Sequence, residues 1–274
     1  MKKSLFFDTI PYDIFREDDM KGLRRLLSYA RRACDDYNMI NDGDVIAVGV
    51  SAGKDSLLLL CTLAELRRFY PKKFDLVALT IDMKFDEIGG KASDYSAIAE
   101  LCERIGVRYH VEPSNIAKIV FDVRKESNPC SLCAKLRRGM VNDTAKKLGC
   151  NKVALGHHFD DAVETFMLNL FYEGRIGCFA PVTYLDRTDV TVIRPLVYAP
   201  EKDIRYFANN ASLPVIESEC PANRHTEREE MKKLLRDLER ENKGLRHRIF
   251  GAMQRAGVDG YVESRIKNYK IDGE

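Results

Sequence analysis

A short turn at residues 51–56 carries the first side chains that could do chemistry. Its sequence, SAGKDS, follows the apolar run VIAVGV and precedes the helical pattern LLLLC. Backbone N–H groups at a helix start bind phosphate, Lys54 adds positive charge, and the two serine hydroxyls can donate hydrogen bonds. The spacing is not that of a G-x-x-x-x-G-K-S/T loop, because Gly49 and Gly53 are one residue too close. The turn therefore predicts a phosphate site; the alternative is an ordinary strand-to-helix turn with a surface lysine.

A C-x-x-C pair, Cys130 and Cys133, stands at the predicted start of a helix that also carries Lys135, Arg137 and Arg138. A helix N-terminus and neighbouring cations lower the pKa of a thiol, so the sequence predicts thiolates here. A structural zinc site usually needs a second C-x-x-C, which this sequence lacks. A thioredoxin-like redox pair needs only these two cysteines and stays open.

A third interpretation is an iron–sulfur cluster, with Cys220 in its loop-like Glu-Cys-Pro setting as a further ligand. Three thiolates would leave one iron of a 4Fe-4S cluster without a protein ligand, and a cluster cysteine followed by proline also occurs in ferredoxins. Spacing alone leaves the redox pair and the cluster as alternatives. The remaining cysteines stand singly among apolar or helical residues, which favours small buried side chains: Cys34, Cys61, Cys102, Cys150 and Cys178.

Acidic and histidine side chains follow two further apolar runs. Asp82 ends the run LVALTI, and the segment 156–161, GHHFDD, follows KVAL. Asp160 and Asp161 open a helix, where carboxylates cap the helix, hold Mg²⁺ on pyrophosphate oxygens or position a reacting group. Capping explains only one of them, so the pair favours a ligand role. The two histidines of this segment either donate to phosphate or pack inside the protein.

Short apolar runs alternating with helical patterns must position these side chains, and this alternation is typical of parallel βαβ units. The predicted strands are 45–50, 76–81, 108–112, 152–155 and 190–193; the predicted helices are 18–37, 55–69, 93–105, 134–148, 160–171, 202–210 and 227–248. Ligands bind at the carboxyl ends of the strands in an open parallel sheet. We therefore expect the turn 51–56, Asp82 and the segment 156–161 to share one rim.

These elements predict an α/β fold: a doubly wound parallel sheet with an N-terminal helix and a helical C-terminal extension. The expected boundaries are 1–42, 43–200 and 201–274. A chain of 274 residues with 45% hydrophobic and 31% charged residues is typical of a globular protein rather than a disordered one. No run approaches the roughly 18 apolar residues of a membrane span, and no export signal is visible. We therefore expect a cytoplasmic protein whose cysteines are not disulfide-bonded.

The overall charge is nearly balanced: 44 Lys and Arg against 42 Asp and Glu give a formal net charge of +2. That value neither requires nor excludes nucleic acid, so local clusters decide. Arg24 and Arg25 in the first helix, and Arg138 beside the cysteines, suit contacts to RNA phosphates; the alternative is ordinary surface charge. In the last helical region Arg and Lys alternate with Glu, which predicts a solvated face.

The turn SAGKDS resembles the SGGKDS loop of the PP-loop ATP-pyrophosphatase superfamily, whose members cleave ATP to AMP and pyrophosphate. Ala52 replaces the first glycine, which suits a turn only if its φ stays negative. Together with PCSLCAKLRRG, GHHFDDAVET, VIRPL and DYNMINDGDVI, the turn makes about residues 20–235 similar to the tRNA 2-thiocytidine synthetase family of iron–sulfur-dependent tRNA thiolases.

The resemblance implies an enzyme that uses ATP and Mg²⁺ to adenylate the C2 oxygen of a tRNA pyrimidine and replaces that oxygen by sulfur with a 4Fe-4S cluster. The implied partners are tRNA, contacted by Arg24, Arg25 and Arg138, and a sulfur donor, either sulfide or a cysteine desulfurase. No membrane is involved, and a homodimer is allowed. Matching positions imply ATP binding by Ser51, Ala52, Gly53, Lys54, Asp55, Ser56, Asp82, Gly156, His157 and Asp160, catalysis by Lys54, Asp55, Asp161 and Arg137, and cluster ligation by Cys130, Cys133 and Cys220.

The later part of the sequence departs from that family. A second cysteine pair is missing, and the ECP…R arrangement of ESECPANRHTERE resembles 2-thiouridine-forming relatives. Those relatives usually carry terminal zinc-binding cysteine motifs, which this sequence lacks. The longer match favours 2-thiocytidine as the product. The alternatives are the same chemistry forming 2-thiouridine and a non-catalytic iron–sulfur nucleotide sensor.

Overall fold

Strand β1 (Asp44–Gly49) lies inside a six-stranded sheet with the order β3-β2-β1-β4-β6-β5. The other strands are β2 (Phe74–Asp82), β3 (Arg108–Pro113), β4 (Lys152–Ala154), β5 (Val182–Leu185) and β6 (Val190–Ile193). All neighbours pair in parallel except β5, which runs antiparallel to β6. The computed structural model describes residues 17–125, 129–216, 220 and 227–264. The strand order reverses beside β1, which is where open α/β sheets bind ligands.

Helices cover both faces of this sheet. They are α1 (Glu17–Asp36), α2 (Lys54–Phe69), α3 (Ser96–Arg104), α4 (Pro129–Lys147), α5 (Phe159–Tyr172), α6 (Glu201–Asn210), α7 (Glu227–Glu241) and α8 (Leu245–Arg255). Helix α4 packs over a smaller core on one face, and the others contribute to a larger core on the opposite face. Across the described ranges no helix is both long and apolar enough to cross a membrane.

The central strands explain why the sequence shows continuous apolar runs. Ile46 and Val48 of β1 join the larger core, and Ala47 between them joins the smaller one. Because both faces of a parallel sheet are covered, its strands carry apolar residues at successive positions rather than in alternation. The predicted doubly wound α/β fold is confirmed, including the short strands β3 and β6.

The structure differs from the sequence predictions at four elements. Helix α4 begins at Pro129 rather than at residue 134. The prediction of a single helix over 227–248 is wrong, because Gly244 at φ +79° separates α7 from α8 in a backbone conformation that glycine adopts without strain. The edge strand β5 and a π-helix at Lys118–Arg124 were not predicted. Both are short, and local patterning gives little signal for such elements.

Candidate active site

Three segments meet at the carboxyl ends of β1, β2 and β4. Strand β1 pairs in parallel with both neighbours, so the residues that follow these strands lie side by side. A Cβ built on Gly156 would stand 3.1 Å from the backbone carbonyl of Asp55. The Val50 N–H donates to the Leu79 carbonyl at 2.8 Å, which continues the pairing past β1. The structure thus brings the turn 51–56, Asp82 and the segment 156–161 to one rim, as predicted.

The turn 51–56 is closed by its own serines. The buried Ser56 hydroxyl donates to the Gly53 carbonyl at 2.9 Å and accepts from the Ser51 backbone N–H at 3.1 Å. The Ser51 hydroxyl also donates to Ser56 Oγ, at 3.2 Å. Ser56 therefore shapes the loop, whereas Ser51 is exposed at its mouth. Gly53, in an extended conformation, precedes the first turn of α2, whose N–H groups face the rim.

Ala52 adopts a backbone conformation that is unusual for alanine. Its φ is +63°, in the left-handed region, so the condition under which alanine suits this turn without strain is not met. This region costs an L-residue roughly 1–2 kcal/mol. The conformation is held by burial of the side chain and by a hydrogen bond in which Ile216 N–H donates to the Ala52 carbonyl at 3.1 Å. That bond places Ile216, four residues before Cys220, against the phosphate loop.

Lys54 is held at the start of α2 by two carboxylates. Its Nζ lies 2.9 Å from Asp55 Oδ1 and 3.5 Å from Glu201 Oε1. Burial lowers the pKa of Lys54, but Asp55 and Glu201 raise it by more, so the pKa lies above its ordinary value. The ammonium group is therefore charged at neutral pH, and 31% of the side chain is exposed at the rim.

Gly156 is the point where the third rim segment touches the phosphate loop. We expect Gly156→Ala to destabilise the protein by about 1–3 kcal/mol, because the new Cβ overlaps backbone atoms rather than a flexible side chain. The affinity for ATP should fall together with the stability, because the start of α2 must move to make room for the new Cβ. Gly139→Ala in α4 is the matched control, because a Cβ there has open space and alanine favours a helix. Thermal unfolding and ATP titration measure both effects; equal stabilities for the two variants would contradict the close approach.

Asp160 and Asp161 both have partners within the protein. Asp161 forms a capping box with His158: its Oδ2 accepts from the His158 N–H at 2.9 Å, and its own N–H donates to His158 Nδ1 at 3.4 Å. Asp160 accepts from the Glu201 N–H at 2.7 Å and pairs with Arg246. Capping and ion pairing thus engage both carboxylates, so Mg²⁺ would have to compete with these partners.

Two arginines of the C-terminal helices reach this rim. Arg228 lies 3.2 Å from Asp161 Oδ1 and 3.3 Å from Glu164 Oε2, while Arg246 lies 3.7 Å from Glu164 Oε1. Glu164 is fully buried, and burial raises its pKa to about 7. The prediction of a solvated charged face is therefore wrong for Arg228 and Arg246. The available signal was Glu164 itself, since a carboxylate within an apolar helix requires a cation from elsewhere.

The two histidines of the third segment have different roles. His158 is buried as the N-cap of α5. His157 packs against Phe179 with ring centroids 4.8 Å apart, and its buried Nδ1 has no hydrogen-bond partner in the described part of the chain. Burial and Arg194 lower the pKa of His157 to about 4, so the ring is neutral at pH 7. His157 therefore carries no positive charge to the rim at neutral pH.

Cys133 lies within electrostatic range of both Cys130 and Cys220. Cys130 is exposed, and the other two are partly buried. Burial raises the pKa of Cys133, Arg137 lowers it, and both Cys220 and Cys130 raise it. The net shift is upward, so the prediction of a low-pKa thiolate is wrong for Cys133 in the metal-free protein. The helix start and its cations are outweighed by desolvation and by the neighbouring thiols.

The donor set has the chemistry of an iron–sulfur site. Over the ranges that the structure describes, no three His, Cys, Asp or Glu side chains surround one point at metal-binding distance. A zinc ion needs all its sulfurs about 2.3 Å from one centre. An iron–sulfur cluster distributes its thiolates over different irons, and soft thiolates are its usual ligands. The three cysteines therefore offer donors of the kind that an iron–sulfur cluster uses.

The remaining predicted residues flank this arrangement. Asp82 accepts from the Lys84 N–H at 3.1 Å and from the Tyr95 hydroxyl at 3.4 Å. Arg138 is exposed on α4, the helix that bears the cysteine pair. Arg24 and Arg25 are exposed on α1, on the sheet face opposite to α4, and Arg25 pairs with Asp203 of α6 at 3.2 Å. The single cysteines behave as predicted: Cys34, Cys61, Cys102 and Cys150 are buried, and Cys178 is partly buried.

Comparison with known proteins gives consistent matches. Residues 26–238 match the PP-loop domain family. The chain is 43% identical over 238 residues to the tRNA-cytidine(32) 2-sulfurtransferase of Geobacter metallireducens, covering 86% of this chain and 91% of that protein. It is 42% identical to the protein of the same name from Geobacter sulfurreducens, covering 84% and 89%. The U34-tRNA thiolase NcsA from Methanococcus maripaludis, solved with its 4Fe-4S cluster, has a similar fold (TM-score 0.70, 24% identity, 91% of this chain and 82% of that one).

Proposed function

Because this chain belongs to the PP-loop domain family and, within it, to the tRNA-cytidine(32) 2-sulfurtransferases, we propose that it is an ATP-dependent tRNA sulfurtransferase that forms 2-thiocytidine at position 32. The observation that most strongly supports this proposal is a contact between the phosphate loop and Ile216, which precedes Cys220 in the sequence. The Ile216 N–H donates to the Ala52 carbonyl, and Cys220, four residues later in the sequence, raises the pKa of Cys133, so a short stretch of sequence separates a contact with the phosphate loop from a contact with the cysteine pair.

The first step consumes ATP at the phosphate loop. The C2 oxygen of cytidine attacks the α-phosphorus, the bond to the β-phosphate oxygen breaks, and pyrophosphate leaves. The charged Lys54 and the N–H groups at the start of α2 stabilise the negative charge that builds up on pyrophosphate. Mg²⁺ would also stabilise this negative charge. Asp55, which lies beside Lys54 and is partly exposed, offers it a carboxylate ligand.

The second step replaces the activated oxygen. Sulfide adds to C2, the C2–O bond breaks, and AMP leaves with the former carbonyl oxygen, so the base gains one sulfur for one oxygen. Cys130, Cys133 and Cys220 would hold a 4Fe-4S cluster, which would supply the sulfur for this step. Arg137, next to Cys133, offsets negative charge at these thiolates. The sulfur donor in the cell would be sulfide or a cysteine desulfurase, and the reaction would take place in the cytoplasm.

A nucleoside assay tests this function. The anaerobically purified protein, ATP, Mg²⁺, sulfide and unmodified tRNA should yield 2-thiocytidine, AMP and pyrophosphate. A tRNA with uridine in place of cytidine 32 is the control and should yield no thionucleoside at that position. Formation of thiouridine from unmodified tRNA would support the proposed chemistry but contradict cytidine as the target base. Bound ATP and an intact cluster without either product would favour the nucleotide sensor; the ECPANR segment that suggests uridine lies largely outside the described residues.

A further inference from the structure

A cavity of about 650 Å³ opens beside the phosphate loop, between helices α6, α7 and α8. Cationic side chains from all three helices line it: Lys202, Arg205, Lys232, Arg236 and Arg246. Lys232 and Arg236 are four residues apart on α7 and therefore share one helix face. The sequence predicted a solvated charged face in this region and not a cavity. The cations that line the cavity come from separate helices, which only the fold brings together.

The carboxylates of the cavity are engaged by the protein itself. Asp160 and Glu164 pair with Arg246. Glu201 accepts from Arg205 at 3.3 Å and from Lys232 at 3.8 Å, in addition to Lys54 of the phosphate loop at 3.5 Å. Across the described residues, Lys202 and Arg236 have no ion-pair partner. The cavity therefore presents uncompensated positive charge next to the ATP site.

The basic surface continues from this cavity onto α1. Helix α1 packs against α6, and the Arg25–Asp203 ion pair joins the two helices at their surface. Arg24 is exposed on the same helix. Tyr206 lines the cavity with 59% of its area exposed, which leaves an aromatic face open to solvent. Cations spread over several helices, with an exposed aromatic ring among them, are typical of surfaces that bind RNA.

We propose that this cavity binds the phosphodiester backbone of the tRNA substrate and delivers the target base to the adjacent phosphate loop. The proposal rests on the proposed function. The phosphates of ATP have their own site at the start of α2, so the cavity is a second anion site rather than part of the first. Glu201 lies between the two sites and shares its carboxylate between Lys54 and the cavity cations Arg205 and Lys232.

Two charge-reversed variants test the location of this site. Lys202→Glu/Arg236→Glu removes the two unpaired cavity cations. Lys147→Glu/Arg104→Glu changes the net charge equally in the last turns of α4 and α3, two helices that do not line the cavity. Affinity for unmodified tRNA is measured across a salt series, and ATP affinity is measured alongside. The cavity variant should bind tRNA about tenfold more weakly, with a salt dependence reduced by roughly one phosphate contact per residue. The control variant should bind like the wild type, and ATP affinity should be unchanged in both.

The outcomes separate this site from the function on which it rests. Equal weakening in both variants would mean long-range charge rather than a local contact, and overturns the proposal. Wild-type tRNA affinity in the cavity variant, together with continued thiocytidine formation, overturns the proposal and leaves the function intact. A wild-type protein that binds no tRNA at low salt overturns both. Lys202→Gln/Arg236→Gln, with thermal unfolding as a check, replaces the reversed pair if that pair does not fold and should show a smaller loss in the same direction.

Discussion

Lys54→Ala is expected to lower the rate of ATP-to-AMP turnover at least about 100-fold, which is the loss seen when one preorganised group that stabilises transition-state charge is removed. Lys54 is the cation held directly over the phosphate loop, 2.9 Å from Asp55. Its raised pKa keeps it charged at neutral pH. Without it, the N–H groups at the start of α2 and bound Mg²⁺ carry the charge of leaving pyrophosphate alone. Turnover is measured as AMP and pyrophosphate released per enzyme.

The fold of this variant should be preserved. The ion pairs of Lys54 are partly exposed, and exposed pairs contribute little to stability, so thermal unfolding should stay close to that of the wild type. Lys146→Ala is the matched control, because Lys146 forms a similar pair with Asp189 at the end of α4, away from the phosphate loop. It should keep full turnover. Release of ADP instead of AMP by the native protein would show that the loop does not perform pyrophosphatase chemistry.

The fold could be predicted because its central strands are covered on both faces. Residues such as Ile46, Ala47 and Val48 are all apolar for that reason, and a continuous apolar run is visible without knowledge of the partners. The edge strand β5 lacks that signal, since its residues are only partly buried. The break at Gly244 was equally invisible within a long charged pattern, where several helical turns on either side share the same composition.

The rim of the site could be predicted from strand ends, but the state of its side chains could not. Strand order alone brings Lys54, Asp82 and Asp161 together. Their partners come from far along the chain: Glu201 contacts Lys54, and Arg228 contacts Asp161. Such long-range ion pairs cannot be predicted from the local sequence. The sequence alone therefore could not distinguish capping, ion pairing and metal binding as roles for the rim aspartates.

Backbone strain and thiol ionisation were unpredictable for a related reason. Ala52 adopts a positive φ because tertiary contacts, including the bond from Ile216, outweigh its intrinsic preference. The upward pKa shift of Cys133 depends on how far the thiol is buried and on the approach of Cys220 from a distant segment. Both features depend on contacts from far along the chain, from Ile216 to the phosphate loop and from Cys220 to the cysteine pair.

Removing any one of the three site cysteines is expected to abolish thiocytidine formation. Anaerobically purified wild-type protein should contain about four irons per chain, as a 4Fe-4S cluster requires. Cys130→Ala, Cys133→Ala and Cys220→Ala should each lose that iron, because two thiolates hold such a cluster poorly. ATP binding should persist, since the phosphate loop keeps Lys54 and the start of α2. Iron analysis, visible absorption and nucleoside digestion measure the three effects on the same preparations.

Cys178→Ala is the matched control for these variants. The Cys178 thiol is partly buried and donates to the Ala162 carbonyl of α5 at 3.4 Å, so it is engaged away from the other three cysteines. This variant should keep both iron and thiocytidine formation. Stoichiometric zinc without iron in the anaerobic wild-type protein would contradict the cluster, and full thiolation by Cys220→Ala would remove Cys220 from the ligand set. A loss confined to Cys130→Ala and Cys133→Ala would instead favour a redox pair, because that chemistry needs two thiols within disulfide reach and no third.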